Sequence, residues 1–285
     1  MNGALPKHRA SALQLDAAAL FLLVAAVTAS WLALNFVYPD FETLGIRRVV
    51  SRVIIHATIL IGLWFGLSRT DFSNSMRIVV WLVIAVPFTL WLAVIWRLAI
   101  NGTFRPIPGS MGVPPLPVAI FAPVLVGLVL LMRSKRVAAV LDVTPPAWLV
   151  GIQVYRIFGG IFLVNWARGF IPGVFALPAG IGDVLVGVLA LPVALYVSTG
   201  TSDGQNVGVA WNLLGLIDFA IAIAMGAMSS PGRLQMLSVD QPNLQIGTYP
   251  TVMIPAFTVP SSIILHVLSL WQLRRLARRV QGDAR

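Results

Sequence analysis

Apolar runs of bilayer-spanning length dominate this sequence and restrict it to a small set of folds. Eight are found, at approximately 16–37, 49–68, 78–100, 117–132, 147–168, 180–198, 208–229 and 252–273. About 20 apolar residues in a helix cross the ~30 Å hydrocarbon layer. Only 11% of the residues are charged and 58% are hydrophobic, whereas soluble domains carry about 25% charged residues. The sequence therefore predicts an all-α, polytopic integral membrane protein whose eight helices form one transmembrane domain, 16–273, between tails 1–15 and 274–285.

The first run follows Lys7 and Arg9, which resembles the start of a signal peptide. Val27-Thr28-Ala29 could serve as a weak cleavage site. However, the apolar run continues from Ala17 to Val37, which is too long for an ordinary signal-peptide core. We interpret it as a retained first helix.

The distribution of basic residues predicts the orientation. Cytoplasmic loops are enriched in Lys and Arg. Twelve basic residues would lie on the cytoplasmic side if the N-terminus does: Lys7, Arg9, Arg69, Arg77, Arg133, Lys135, Arg136, Arg274, Arg275, Arg278, Arg279 and Arg285. Six would lie on the other side: Arg47, Arg48, Arg52, Arg105, Arg168 and Arg233. Both termini are therefore expected in the cytoplasm, with the protein in the cytoplasmic membrane and in contact with lipid.

The longer connections fall on the predicted outer side, at 101–116, 169–179 and 230–251. Binding residues are often carried by loops held on a rigid scaffold. We expect an outer vestibule there that includes Arg168, Phe175 and Tyr249. The prolines of 106–117 predict an irregular outer end for the fourth span.

A weak internal similarity links spans four and eight. Phe121-Ala122-Pro123 and Thr258-Val259-Pro260 occupy comparable positions, and both spans end in basic residues. A duplicated unit of four spans would give two halves of the same orientation. Chance similarity among Pro-containing apolar helices explains the pattern equally well, so both interpretations stay open.

Ionisable residues inside the spans are the main functional signal. Such residues are costly in hydrocarbon and usually face a partner or a water-filled cavity. Arg156 and Asp218 lie near the middle of spans five and seven, at matching depth. We expect them to form an ion pair, because a guanidinium and a carboxylate can bind each other through two hydrogen bonds. The pair could be a fixed structural bridge or one that a proton or an anionic solute opens.

Asp183 is predicted three residues into span six, near the outer face. The prolines and glycines of 169–182 could make this segment re-entrant, which is tolerated only beside protein or a water-filled cavity. Asp183 could alternatively be a simple capping carboxylate. His56 and Asn165 are expected at similar depth, and Asn212 on a small-residue face of span seven, so we include all three in a solute or proton pathway.

Several classes of function are excluded or disfavoured. Cysteine is absent, which removes disulfides and thiolate metal sites. The phosphate loop GxxxxGK[ST] and the GxSxG and HExxH motifs are also absent. His56 and His266 are expected at different depths, so no metal or cofactor site is predicted. The net charge of +10 is spread over the ends of spans, so no nucleic-acid partner is expected.

Three functions remain open. The favoured one is a secondary transporter or permease for a small solute, in which Asp218 carries a proton and Asp183, Asn165 and His56 line the entrance. The second is a non-catalytic membrane subunit, sensor or assembly factor, acting as a homo-oligomer or in a larger complex. The third is a membrane enzyme or a protein that binds haem, quinone or lipid; whether the chain is an enzyme stays uncertain, with the balance against it.

Overall fold

Helices make up nearly all of the computed structural model, which describes residues 7–38, 46–107 and 115–283. The α-helices are α1 Lys7–Val37, α2 Ile46–Ser68, α3 Asn74–Ile100, α4 Pro115–Arg133, α5 Lys135–Val143, α6 Pro146–Gly151, α7 Ile161–Ala167, α8 Gly173–Ser198, α9 Ser202–Ser229 and α10 Val259–Asp283. Two 3₁₀ segments, Ile152–Gly160 and Gln245–Gly247, and a π segment, Ile254–Thr258, complete the described structure. These residues contain no strand.

Eight helical spans are long and apolar enough to cross a membrane. The fifth is composite and joins α6, the 3₁₀ segment and α7 over Pro146–Ala167; the eighth runs through the π segment and α10 over Ile254–Arg279. The predicted all-helical fold and the eight helices of membrane-spanning length are confirmed, and these helices indicate an integral membrane protein.

The later spans form the centre of the bundle and the earlier ones its rim. In spans five, six and eight, 56%, 50% and 50% of the most apolar window is buried, compared with 17%, 22%, 22% and 11% in spans one to four. Large apolar side chains such as Leu22, Val83 and Leu125 are exposed on the rim helices. In a bilayer such side chains face lipid, so the buried polar residues of the central spans carry the functional information.

A small-residue stripe on α8 lets this helix approach the composite fifth span closely. A side chain at Gly187 would lie 2.6 Å from the backbone nitrogen of Ile157, and one at Gly180 would meet Leu163 at 2.7 Å. Ala194 continues the stripe and would meet a side chain at Gly151 at 3.4 Å. Such contacts allow backbones to approach in membrane helices, and they bring Arg156 and Asp183 into reach of each other.

The start of α8 corrects the expected depth of Asp183. The helix is continuous from Gly173 and contains Pro178, so residues 173–182 are helical and not a re-entrant break. Asp183 lies about three turns into α8, near the middle of the bundle. Pro178 misled the prediction because a proline is tolerated within a transmembrane helix when neighbouring groups satisfy the backbone.

Two other predicted features are altered or only partly described. Helix α10 continues to Asp283, so most of the predicted basic tail 274–285 is helical. The irregular outer end of span four was predicted around 106–117, and residues 108–114 lie outside the described structure. Helix α4 itself begins at Pro115.

The short helix α5 ties the end of α10 to the connection between spans four and five. Arg275 donates to Asp142 from Nε at 2.8 Å and from Nη2 at 2.6 Å, and Arg279 also contacts this carboxylate. Gln272 Nε2 donates to the carbonyl oxygens of Leu141 and Thr144, each at 2.6 Å. The Arg275 hydrogen bonds lower the pKa of Asp142 below its ordinary value.

We expect Asp142→Asn to lower the free energy of unfolding by about 1 kcal/mol at neutral pH, as for a partly exposed ion pair. Because the pKa of Asp142 is lower in the folded chain, its stabilisation is complete above the ordinary carboxyl pKa and is lost as the pH falls through the lowered value. Denaturant titration in mixed micelles at several pH values measures both effects. Asp240→Asn, at an exposed position, is the control; an equal loss in both variants would contradict the role of the ion pair.

Candidate functional site: a buried charge cluster at the floor of a cleft

The 3₁₀ segment places Arg156 at the centre of the bundle. A 3₁₀ helix has three residues per turn, so Gln153, Arg156 and Gly159 lie above one another on one face. All three are buried. The segment is nine residues long, whereas such runs seldom exceed three or four. A 3₁₀ stretch within a helix often marks a hinge or a strained segment.

Arg156 contacts two carboxylates from two different helices. Its Nε donates to Asp183 Oδ1 at 2.9 Å, and its Nη2 lies 2.8 Å from the same oxygen. Nη2 also donates to Asp218 Oδ2. The guanidinium carbon lies 3.8 Å from the centre of the Phe219 ring, which adds a cation–π contact. The predicted contact between Arg156 and Asp218 is present, and Asp183 joins it. We call Arg156, Asp183 and Asp218 the charge cluster.

Hydrogen bonds extend from the charge cluster to α9 and α10. Arg156 Nη1 lies 3.1 Å from His266 Nε2, and His266 Nδ1 lies 2.9 Å from Asn212 Oδ1. Asn212 Nδ2 donates to the Gly208 carbonyl oxygen at 2.7 Å and to Ser269 Oγ at 3.0 Å. Since Arg156 can only donate and Asn212 Oδ1 can only accept, these partners assign a neutral His266 that carries its proton on Nδ1.

A cleft of about 510 Å³ leads to the charge cluster from the end of the bundle that holds Asn35 and Thr251. Helix α1 contributes Trp31 and Asn35 to its wall, α2 contributes Ser51 and Arg52, and Phe158 belongs to the 3₁₀ segment. Both Arg156 and Asp183 line the floor. Ligand pockets typically measure about 300–1,000 Å³ and combine apolar walls with a few polar groups, so the cleft has the dimensions and lining of a small-molecule site.

The two floor residues differ in their accessibility. The Arg156 side chain is 1% exposed and that of Asp183 is 11% exposed. Both contacts from Arg156 fall on Asp183 Oδ1, and within the described structure no hydrogen bond reaches Oδ2. This oxygen packs against Gly159, another residue of the cleft wall. A Cβ at Gly159 would stand 2.1 Å from Asp183 Oδ2. The cleft therefore presents one carboxylate oxygen with spare capacity to accept a hydrogen bond.

Glycines leave space for the charged groups. A Cβ at Gly182 would stand 1.6 Å from Asp218 Oδ1. One at Gly215 would lie 2.4 Å from the His266 ring and 2.9 Å from Arg156 Nη1. The cluster thus forms only because the neighbouring backbone carries no side chains at these points.

The other predicted pathway residues lie away from the charge cluster. His56 Nε2 is 3.0 Å from Thr89 Oγ1, and its ring packs on Phe88 with centroids 4.7 Å apart. Asn165 is buried in α7, and in the described part of the chain no hydrogen bond joins it to Arg156. Their place in a pathway stays a prediction.

The predicted vestibule residues have separate environments. Arg168 Nη2 donates to the carbonyl oxygens of Asn35 and Phe36, the latter at 2.7 Å. These carbonyl groups lie in the last turn of α1 and have no partner within the helix, so Arg168 supplies their hydrogen bonds. Phe175 is 3% exposed and packs edge-on against Phe162. Tyr249 packs partly buried against the apolar cluster around Phe257. Their assignment to a vestibule stays a prediction.

A family model described as "Domain of unknown function (DUF8737)" matches residues 113–274. The match covers more than half of the chain. The chain belongs to this family. No curated protein and no solved structure matches the chain. The DUF8737 segment contains the whole charge cluster together with Asn212 and His266, whereas the α1 and α2 walls of the cleft lie outside it.

His266 contacts the charge cluster but was not among the site residues predicted from the sequence. Counting from an assumed helix start at 252 placed it in the inner half of span eight. The span runs from Ile254 to Arg279, six residues beyond the predicted end at 273, so His266 lies at its middle. The spacing of polar residues could have indicated its role. Ser262, His266 and Ser269 repeat at helical intervals, and all three are fully buried.

Alanine at Gly182 should destabilise the folded protein, because its Cβ would overlap Asp218 Oδ1. We expect a loss of about 1–3 kcal/mol, as for overpacked cores. Gly62→Ala is the matched control, since a Cβ there meets no atom within 4 Å of the described structure. Thermal unfolding followed by size-exclusion chromatography compares the two. Equal melting temperatures would show that the packing around Asp218 is not as tight as described.

Arg156→Met should be severely destabilising, by about 3–5 kcal/mol, because it leaves two buried carboxylates without their cation. Adding Asp183→Asn and Asp218→Asn in the same chain should restore much of the folded yield, since the three substitutions together remove every charge of the cluster. Yield and melting temperature in detergent measure both outcomes. A triple variant no better folded than Arg156→Met would contradict the charge argument.

Proposed function

We propose that this protein is a secondary transporter of the cytoplasmic membrane, which moves a small solute in exchange for, or together with, a proton. The observation that carries the proposal is the charge cluster at the floor of a cleft open to one end of the bundle. Ionisable residues inside membrane spans are typical of solute and proton pathways. The proposal includes the orientation with both termini in the cytoplasm, so the cleft opens to the outside.

The charge balance of the cluster supports proton coupling. One guanidinium faces two carboxylates, so the cluster carries a net charge of −1 when both acids are ionised. An unbalanced charge is strongly disfavoured at low dielectric. One proton bound to either Asp183 or Asp218 would make the cluster neutral. Asp183 would exchange this proton with the cleft, and Asp218 would hold it on the inner side.

Irregular backbone on two walls of the cleft supports a conformational change. The 3₁₀ segment carries Arg156, and the π segment contributes Ile254 and Thr258 to the opposite wall. Non-α turns inside transmembrane helices are frequently functional. They can change register at less cost than a regular helix, as movement of a cleft between two membrane faces requires. The proposed four-span repeat is compatible with such movement and stays a prediction.

A second candidate is a non-catalytic membrane subunit or sensor. The observation that favours it is the continuous set of hydrogen bonds from Arg156 through His266 and Asn212 to Ser269. These contacts join the composite fifth span, α9 and α10, and could serve stability alone. In that case the charge cluster would hold helices together, and its residues could be exchanged without loss of any flux.

Transport is tested in proteoliposomes that enclose a pH-sensitive dye, with uptake of radiolabelled solute measured in parallel. The probes are benzylammonium, benzoate and benzyl alcohol, applied with and without a pH gradient. We expect the wild-type protein to couple uptake of at least one probe to a change in lumenal pH. Asp218→Asn should reduce both signals to the level of protein-free liposomes, because the variant cannot release a proton from this position.

Asp142→Asn is the matched control, since it removes a carboxylate of the α5–α10 contact outside the cleft. We expect it to retain the wild-type uptake and pH change. A wild-type response equal to that of protein-free liposomes, or an unchanged response in folded Asp218→Asn, would overturn the proposal. The second candidate, a non-catalytic subunit or sensor, would be favoured by two results together. The wild-type protein would show no flux, and the triple variant Arg156→Met, Asp183→Asn, Asp218→Asn would fold.

A further inference from the structure

The charge and lining of the cleft restrict which solute can reach its floor. Arg156 is fully engaged by Asp183 and Asp218 and only 1% of its side chain is exposed. An anionic solute would have to displace a carboxylate to contact it. The nearest accessible charged atom is Asp183 Oδ2, which is an acceptor. The floor therefore repels anions and attracts cations.

We propose that the cleft binds a monovalent organic ammonium ion, whose nitrogen lies at Asp183 Oδ2 in place of the proton. This inference rests on the proposed function for its direction of transport, but the binding step stands independently. The ammonium group would donate a charge-assisted hydrogen bond to Oδ2, and its charge would balance the cluster as the proton does. Each proton released would thus correspond to one cation bound.

Aromatic side chains around the floor fit the same class of solute. Trp31 and Phe158 meet edge to face with ring centroids 5.5 Å apart, and both line the cleft. Tyr155 lies deeper, with its hydroxyl 2.7 Å from Ser262 Oγ. Aromatic faces near a carboxylate are the usual surroundings of bound ammonium groups. An apolar substituent on the ammonium would pack against Trp31 and Phe158.

The groups that face Asp183 come from four elements. Arg156 and Tyr155 belong to the 3₁₀ segment, Asp218 to α9, His266 to α10 through its contact with Arg156, and Arg52 of α2 lines the same cleft. Arg52 Nη1 donates to Ser51 Oγ at 2.7 Å, in the first turns of α2. Ser51 and Arg52 both belong to the wall that α2 contributes to the cleft.

Binding is measured in detergent by isothermal titration calorimetry with benzylammonium. Benzoate and benzyl alcohol have the same ring with negative and no charge, and they serve as matched ligands. We expect saturable, one-to-one binding of benzylammonium only. Its Kd should rise by about tenfold for each unit by which the pH falls, in the range where the cluster takes up its proton. The reason is that one proton competes with one cation.

Asp183→Asn should abolish benzylammonium binding. This variant leaves one guanidinium and one carboxylate, so its cluster is neutral and no unpaired charge opposes folding. Asp142→Asn is the control and should bind as the wild type does. Should Asp183→Asn fail to fold, the competition between benzylammonium and protons in the wild type still tests the proposal.

The outcomes separate this inference from the transport proposal. Tighter binding of benzoate, pH-independent binding of benzylammonium, or full affinity in folded Asp183→Asn would overturn the ammonium site. Proton-coupled uptake of benzoate or benzyl alcohol but no benzylammonium binding would support transport and refute the solute class. Proton-competitive benzylammonium binding without any benzylammonium uptake or lumenal pH change would support the site and refute transport.

Discussion

The Arg156 guanidinium between two carboxylates is the interaction on which the rest of the structure depends. A buried cation without a partner would cost several kcal/mol, so Asp183 and Asp218 must both lie within reach of it. They belong to α8 and α9, and Arg156 to the composite fifth span. Three spans are therefore fixed at one relative depth by a single side chain. Buried ion pairs can often be replaced by well-packed apolar residues without loss of stability, so the relative positions that the cluster imposes on these spans matter more than any stability it adds.

Close backbone approach is the second requirement, and it explains where the glycines lie. Arg156 and Asp183 are side chains of helices whose backbones nearly touch at Gly187, where a Cβ would stand 2.6 Å from Ile157 N. At Gly182 and Gly215 the missing side chains leave room for the Asp218 carboxylate and the His266 ring. In lipid there is little hydrophobic force between helices, so such close packing supplies much of their association. The polar cluster and the small-residue surfaces thus depend on each other.

The sequence predicts much of this fold because apolar length and charge placement are local properties. The contact between Arg156 and Asp218 follows from counting, since both residues lie near the middle of their predicted spans. Asp183 was placed too near the surface because Pro178 suggested a helix start, whereas α8 begins at Gly173 and passes through this proline. His266 was missed for a related reason: span eight was predicted to end at 273 and extends to Arg279, so His266 lies at its middle and not in its inner half. The 3₁₀ geometry around Arg156 and the cleft itself depend on tertiary packing, which periodicity alone does not reveal.

An asymmetry in the hydrogen bonds separates a fixed support from an exchangeable group. Away from the cleft, His266, Asn212 and Ser269 form a continuous hydrogen-bonded series with Arg156. The buried Gln153 amide, one 3₁₀ turn before Arg156, has no hydrogen-bond partner among the described residues. Towards the cleft, Asp183 offers an oxygen with no hydrogen bond from any described residue. Asp183 is accessible from the cleft, so solvent or a ligand can meet the remaining hydrogen-bonding capacity of this oxygen. The proposed ammonium site uses this oxygen, and the hydrogen-bonded series behind Arg156 holds the guanidinium in place.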